Sequence, residues 1–128
     1  MKKEIIQEII NRNSSGTIIF PEVLEILSKE KVESYHVDFL RNESRYYGVD
    51  GESLVMITAH SQVPIPERFS IVQFKGILQQ VQEEKINYEE FCDGSKASGC
   101  AYYIVYLRGK QVHYMGRNGE QYIEHFPK

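Results

Sequence analysis

Apolar positions along the chain switch between two periods, and they do so twice. Ile5, Ile6, Ile9 and Ile10 recur at helical spacing among Lys, Glu, Gln and Asn. That spacing predicts an amphipathic helix over residues 3–13, stopped by Asn13-Ser14-Ser15-Gly16. After the β-branched stretch 17–20, Pro21 sits at the first position of a second helix. Val23, Leu24, Ile26 and Leu27 supply its buried stripe, and Val32 closes it onto the core. The period then drops to two. Ser34 to Leu40 reads as a strand with Tyr35, Val37 and Phe39 on one face and His36, Asp38 and Leu40 on the other. A two-residue loop at Asn42-Glu43 sets Phe39 opposite Tyr46 and Asp38 opposite Tyr47. A type I′ turn at Asp50-Gly51 leads to a third strand, Ser53 to Thr58.

Residues 61–68 carry two prolines and read as a linker. Beyond it the order returns. Phe74, Ile77, Leu78 and Val81 form a helical face, and Asn87 and Glu90 have capping-box spacing before a short helix that carries Phe91. Gly94 and Gly99 weaken and end that helix. Strands follow at Ala101–Leu107, Val112–Gly116 and Gln121–Phe126.

The two passes share a motif. Phe39-Leu40-Arg41 with Tyr46-Tyr47-Gly48-Val49-Asp50-Gly51-Glu52 matches Tyr106-Leu107-Arg108 with Tyr114-Met115-Gly116-Arg117-Asn118-Gly119-Glu120. Gly48 and Gly51 lie 68 residues before Gly116 and Gly119, whereas Leu40 lies 67 before Leu107, a mismatch that a bulge near Met115 would absorb. Ile6, Ile10 and Ile18 fall 68 before Phe74, Leu78 and Ile86. The expected fold is therefore α+β: a tandem duplication of an α-α-β-β-β unit, with antiparallel hairpins and helices packed on one sheet face. Residues 1–60 form the first repeat and 69–128 the second. Units of this size need each other to bury enough apolar surface, so one domain is expected.

Phe20-Pro21 opening a helix, Tyr35-His36-Val37-Asp38, Tyr46-Tyr47, the Tyr114 to Glu120 run and Phe126-Pro127 resemble the YbcV-like family of bacterial proteins. That family is a domain of unknown function, in places labelled "phage envelope protein". The resemblance covers nearly the whole chain. It implies bacterial origin and single-domain size, and it carries over no catalytic residues.

Composition narrows the function classes. Net charge is −3, with seven Lys/Arg against ten Asp/Glu in residues 1–60 and eight of each in 61–128. Neither half offers a basic footprint for nucleic acid or an anionic membrane. The first residues lack the apolar run of a signal peptide, and no stretch reaches membrane-spanning length. Two cysteines, Cys92 and Cys100, make no disulfide framework, so a reduced, cytoplasmic protein is expected, with both thiols as small buried residues.

Candidate chemistry is sparse. His36 and Asp38 project from one strand face about 7 Å apart at the backbone, with Tyr47 expected beside Asp38. A carboxylate near an imidazole orients it and raises its pKa, as in a general base. The competing reading is a solvated sheet face. His113 aligns with Tyr46 at the 67-residue offset and is expected to face inward beside Tyr106. His60 and His125 end strands without being equivalent. No Cys-x-x-Cys or His-Glu-x-x-His metal spacing occurs, no Gly-x-Ser-x-Gly elbow occurs, and β-prone residues after each Gly-x-x-Gly point to hairpins rather than a phosphate loop. No cofactor is expected. Strand tyrosines such as Tyr35, Tyr102, Tyr103 and Tyr106 lack the interleaved Arg or Lys of an RNA-stacking face.

The same 67-residue alignment puts Tyr103, Val105, Leu107, Val112 and Tyr114 on the face away from the helices, where an apolar cluster needs a cover. A homodimer through these residues is the simplest cover. The functional expectation is a non-enzymatic module that binds a small molecule or a protein and acts as a homo-oligomer. The alternative is a small acid-base or hydrolytic enzyme using His36, Asp38 and Tyr47.

Overall fold

A computed structural model of the chain describes residues 1–58 and 61–127. Its helices are α1 (Lys3–Ser15), α2 (Phe20–Lys29), α3 (Ile71–Gln82) and α4 (Tyr88–Ala97). Its strands are β1 (Val32–Asp38), β2 (Glu43–Gly48), β3 (Ser53–Ile57), β4 (Cys100–Tyr106), β5 (Gln111–Gly116) and β6 (Gln121–His125). The strands form one antiparallel sheet in the order β3-β2-β1-β4-β5-β6. Two meanders thus meet at a central seam, where β1 pairs with β4.

Local chemistry explains where the helices begin and end. α1 buries Ile6 and Ile9 and stops at Gly16, which is left-handed (φ 70°) and followed by a Thr17 N–H to Arg12 carbonyl bond of 2.9 Å. α2 has Pro21 in its first turn and buries Val23 and Leu27. Ser70 caps α3 by accepting the Gln73 N–H. The capping box of α4 is formed at both ends: Asn87 Oδ1 accepts from the Glu90 N–H at 2.9 Å, and Glu90 Oε1 from the Asn87 N–H at 3.0 Å.

All four helices lie on one face of the sheet. Phe74 of α3 meets Tyr114 at 4.5 Å between ring centroids, and Phe91 of α4 meets Tyr103 at 6.3 Å. Buried side chains of both halves, Ile6, Leu27, Tyr35, Val37 and Tyr46 with Phe74, Val105 and Val112, belong to a single core cluster.

The offset between the two halves is 68 residues throughout the strands: Val32 to Cys100, Glu43 to Gln111 and Ser53 to Gln121. Both β1 and β4 carry a register irregularity at the equivalent place, between Val32 and Ser34 and between Cys100 and Tyr102. Every left-handed residue has a left-handed counterpart at the same offset: Gly16 with Glu84, Lys31 with Gly99, Asn42 with Lys110, Gly51 with Gly119. A register irregularity does lie opposite Met115 and Gly116, in β4, but its equivalent in β1 leaves the offset unchanged, so Leu107 corresponds to Phe39 rather than Leu40.

That single residue reverses a face. Side chains alternate with a period of two, so a slip of one exchanges the two sides of a strand. Tyr103, Val105, Val112 and Tyr114 therefore point into the core beneath the helices and are buried, and Leu107 packs partly against the same core. They form no exposed cluster. His113 corresponds to Arg45, not Tyr46, and lies on the side without helices. The hairpin details also differ from expectation. β1 ends at Asp38 and β2 begins at Glu43, so the loop spans residues 39–42 with Asn42 left-handed at φ 53°. Tyr46 consequently pairs with Tyr35, Tyr47 with Ser34, and Asp38 with Glu43. Asp50-Gly51 and Asn118-Gly119 are not type I′ turns, since only the glycines have positive φ (88° and 86°). Each glycine instead follows a turn closed by its own N–H to the carbonyl of Gly48 or Gly116.

The expected linker is an ordered strap along 61–68. Arg117 Nη1 donates to the Ile65 carbonyl at 3.1 Å, Asn118 Nδ2 to that of Glu67 at 3.3 Å, and Glu120 Oε2 accepts the Phe69 N–H at 2.9 Å. That backbone bond is the main reason the Glu120 carboxyl is held below the usual carboxylate range.

Candidate functional site

The helix-free side of the sheet is where the polar candidates and the exposed apolar side chains meet. Alternation places Ser34, His36 and Asp38 there from β1, and strand pairing extends each position across the sheet. The middle row reads Val55, Arg45, His36, Ile104, His113, Ile123. On one side of it run Ser53, Tyr47, Ser34, Tyr106, Gln111 and His125. On the other run Ile57, Glu43, Asp38, Tyr102, Met115 and Gln121. Exposure is greatest at the margins, with Val55 at 54%, Ile57 at 78% and Ile123 at 41%. β3, Ser-Leu-Val-Met-Ile, has no charge or proline to blunt its free edge.

The three residues singled out from the sequence share this face without converging. His36 and Tyr47 are in ring contact, with centroids 5.0 Å apart. Tyr47 pairs with Ser34, four residues from Asp38 along β1, a separation of about 13 Å at the backbone. Asp38 is engaged elsewhere: its Oδ1 accepts the N–H groups of both Leu40 and Arg41 at 3.0 Å, which ties down the loop after β1. No hydrogen bond joins it to His36. Burial lowers the His36 pKa, and the neighbouring Arg45 guanidinium lowers it further, so the imidazole is neutral at pH 7. This is opposite in sign to a histidine charged by an adjacent carboxylate.

A second histidine on this face lies outside the expected trio. His113 stacks edge-on against Tyr106 at 5.0 Å. Gln121 Nε2 donates to its Nδ1 at 3.2 Å, and its Nε2–H donates to Gln111 Oε1 at 3.0 Å, which defines the Nε2–H tautomer. Arg45 carries a buried Nε without a partner among the described residues. Arg45 is where strand alternation from the sequence puts it, on the face away from the helices with His36 and Tyr47. The signal for His113 was present in the 68-residue glycine spacing, and the 67-residue alignment of the Leu-Arg pair concealed it. His60 lies outside the described residues, and His125 ends β6 exposed at the sheet edge.

Two hollows lie away from this trio. One runs along the exposed side of α1 beside Lys3, Gln7 and Asn11; the other lies between the 39–42 loop and the strap. Among the described residues no group of three or more His, Cys, Asp or Glu is placed to hold a metal ion, and no helix is long and apolar enough to cross a membrane. Cys92 and Cys100 are buried free thiols, each pushed up to about 12 by burial. Among the described residues the face presents rings, an arginine and aliphatic side chains.

No curated protein matches the chain. A family model described as "Protein of unknown function (DUF1398)" matches residues 7–125, nearly the whole of it. With that extent of match, the chain belongs to the DUF1398 family.

Proposed function

We propose that this protein is a non-enzymatic binding module that acts as a homodimer, with the helix-free sheet face as its working surface. One observation carries the reading. The β4–β5 part of that face is apolar and aromatic (Tyr102, Ile104, Tyr106, Met115) beside the polar Ser34, His36 and Asp38 of β1, and its margins expose Val55, Ile57 and Ile123. Six strands about 4.8 Å apart and about 17 Å long outline a face of roughly 400 Å². That outline is about half of the roughly 800 Å² per partner of a standard stable interface, before the relief of the side chains is added. A second copy of the same face suits it, because the strand order is symmetric about the β1–β4 seam and both edges carry an exposed aliphatic residue, Val55 and Ile123. His36 and Ile104 lie on that axis.

Analytical ultracentrifugation of the wild type and of Ile104→Glu tests the reading. The wild type should be dimeric at tens of micromolar, where interfaces of about micromolar Kd are populated. Ile104→Glu should be a folded monomer. A wild-type monomer at that concentration overturns the proposal. The acid-base alternative at His36, Asp38 and Tyr47 has weaker support, because Asp38 is committed to its loop and Tyr47 lies too far from it.

The same reading includes a tandem duplication of an α-α-β-β-β unit, residues 1–60 and 69–128. It is supported by the constant 68-residue offset of strands, bulges and left-handed residues. Within the DUF1398 family we place the chain with YbcV-like bacterial members on the motifs quoted above, and in a reducing, cytoplasmic setting on its two free thiols.

A further inference from the structure

Lys96 lies buried on α4, 2% exposed; the other buried charged side chain among the described residues, Asp38 at 9%, is held by two backbone N–H groups. Its Nζ donates to the Ser61 carbonyl at 2.6 Å and stands 5.8 Å above the centre of the Phe39 ring. No carboxylate among the described residues lies within 4.0 Å of it. Asp93, one turn earlier on the same helix, is instead engaged by the Ser61 hydroxyl. An ammonium has three donors, and one carbonyl and one ring face leave it short of both a hydrogen-bond acceptor and a counter-charge. Buried charges are otherwise paired, since an uncompensated one is strongly destabilising.

What lies beside the amine supplies the reason to keep it there. Lys96 lines a hollow of about 270 Å³ between the 39–42 loop and the strap. Its accessible lining is more polar than apolar: Asn42, Ser61 and Gln62 contribute polar groups, and Leu40, Val63, Pro64 and Ile65 an apolar rim against which a short tail can lie. That volume is just under the range usual for ligand sites and fits a molecule of few heavy atoms. The position 68 residues earlier is Ser28, which is exposed on α2, so the buried amine is a property of the second half alone.

We propose that this hollow binds a small monocarboxylate with a short apolar tail, the carboxylate pairing with Lys96 Nζ and the tail lying against Leu40 and Ile65. The strap then serves as one wall of a ligand site, besides joining the two halves. The proposal is independent of the sheet-face dimer, which lies on the opposite side of the sheet from α4.

The test uses the full chain labelled with ¹³Cε-lysine, with butyrate as probe and butyramide as its uncharged match. The Lys96 signal, assigned through its contact with the Phe39 ring, should shift saturably with butyrate and stay in place with butyramide. Butyrate should also raise the unfolding temperature of the wild type and not of Lys96→Met, whose side chain keeps the length without the charge. No saturable shift up to about 10 mM, a Kd range accessible even to weak ligands, overturns the proposal. So does an equal response to butyramide. Should Lys96→Met not fold, the wild-type lysine signal decides between the two probes by itself.

Discussion

Lys31 and Gly99 hold the same left-handed position, 68 residues apart, but only one of them is obliged to be glycine. Each follows a helix and leads into a central strand, with φ of 61° and 101°. A Cβ on Gly99 would stand 2.7 Å from the Phe69 Cα and closer still to the Arg68 carbonyl oxygen, because the strap passes over it. A left-handed non-glycine residue costs about 1–2 kcal/mol by itself. Lys31→Gly should therefore raise stability by up to about 1 kcal/mol, after the entropy that glycine adds to the unfolded chain. Gly99→Ala should lower it by more than about 2 kcal/mol, since a steric clash adds to the backbone term. Urea unfolding of the two variants checks both signs.

Asp38 separates a structural from a chemical role. Its Oδ1 caps the loop after β1 through two backbone N–H groups, and an asparagine carbonyl can accept the same bonds. Asp38→Asn should fall within about 0.5 kcal/mol of the wild type, whereas Asp38→Ala should lose about 1 kcal/mol. Equal losses in both variants would show that the charge, not the cap, is what matters at this position.

Two groups give stability opposite slopes with pH. The His36 pKa is lowered in the folded protein by burial and by Arg45, so the unfolded chain binds the proton more readily. Its contribution is complete above the ordinary value of 6.5 and is lost as pH falls from there through the lowered folded value. Glu124 is the reverse: burial raises its pKa above 4.5, against the Gln82 hydrogen bond that lowers it. Its contribution is complete below 4.5 and is lost as pH rises through the raised value. His36→Gln should flatten the fall in stability below about pH 6.5, and Glu124→Gln should raise stability at neutral pH. Denaturant midpoints across pH 4–8 measure both.

The thiols should be silent until the chain unfolds. Cys92 and Cys100 are buried and pushed up to about 12, and the thiolate is the reactive form. A disulfide reagent at pH 8 should report no thiols in the native protein and both of them in denaturant. Prompt native reaction at either cysteine would contradict the packing around α4.

Much of this architecture can be read from residue order. The isoleucine spacing of α1, Pro21 before α2 and the Asn87–Glu90 box each specify an element through contacts within a few residues, and those elements form. Register is harder, because it depends on which residues bend. Asn42 and Lys110 are both left-handed and both end a four-residue loop, yet nothing in their side chains demands it. The shared Leu-Arg pair suggested an offset of 67 where the backbone keeps 68, and parity carried that error onto every side chain of β4 and β5. Tyr103, Val105, Val112 and Tyr114 moved from the surface to the core, and His113 moved the other way. The strap was illegible for another reason: its bonds reach residues about 50 positions away, such as Arg117 and Glu120, and two prolines resemble a linker whether or not anything holds them.

The β1–β4 seam also governs how the protein can be made. The two strands at the middle of the sheet are contributed by opposite ends of the chain, with β1 waiting for Cys100–Tyr106 to be synthesised. Until then the first half carries two open edges, one of them the strand that will become the centre of the sheet. At about 5–20 residues per second, that inner edge stands uncovered on the ribosome for several seconds. A neighbouring nascent chain that offers its own β4 presents the same hydrogen-bond pattern. Exchange of halves between two copies, across the strap at residues 61–68, is therefore the misassembly this topology invites, and shortening that strap would change the partner each half finds.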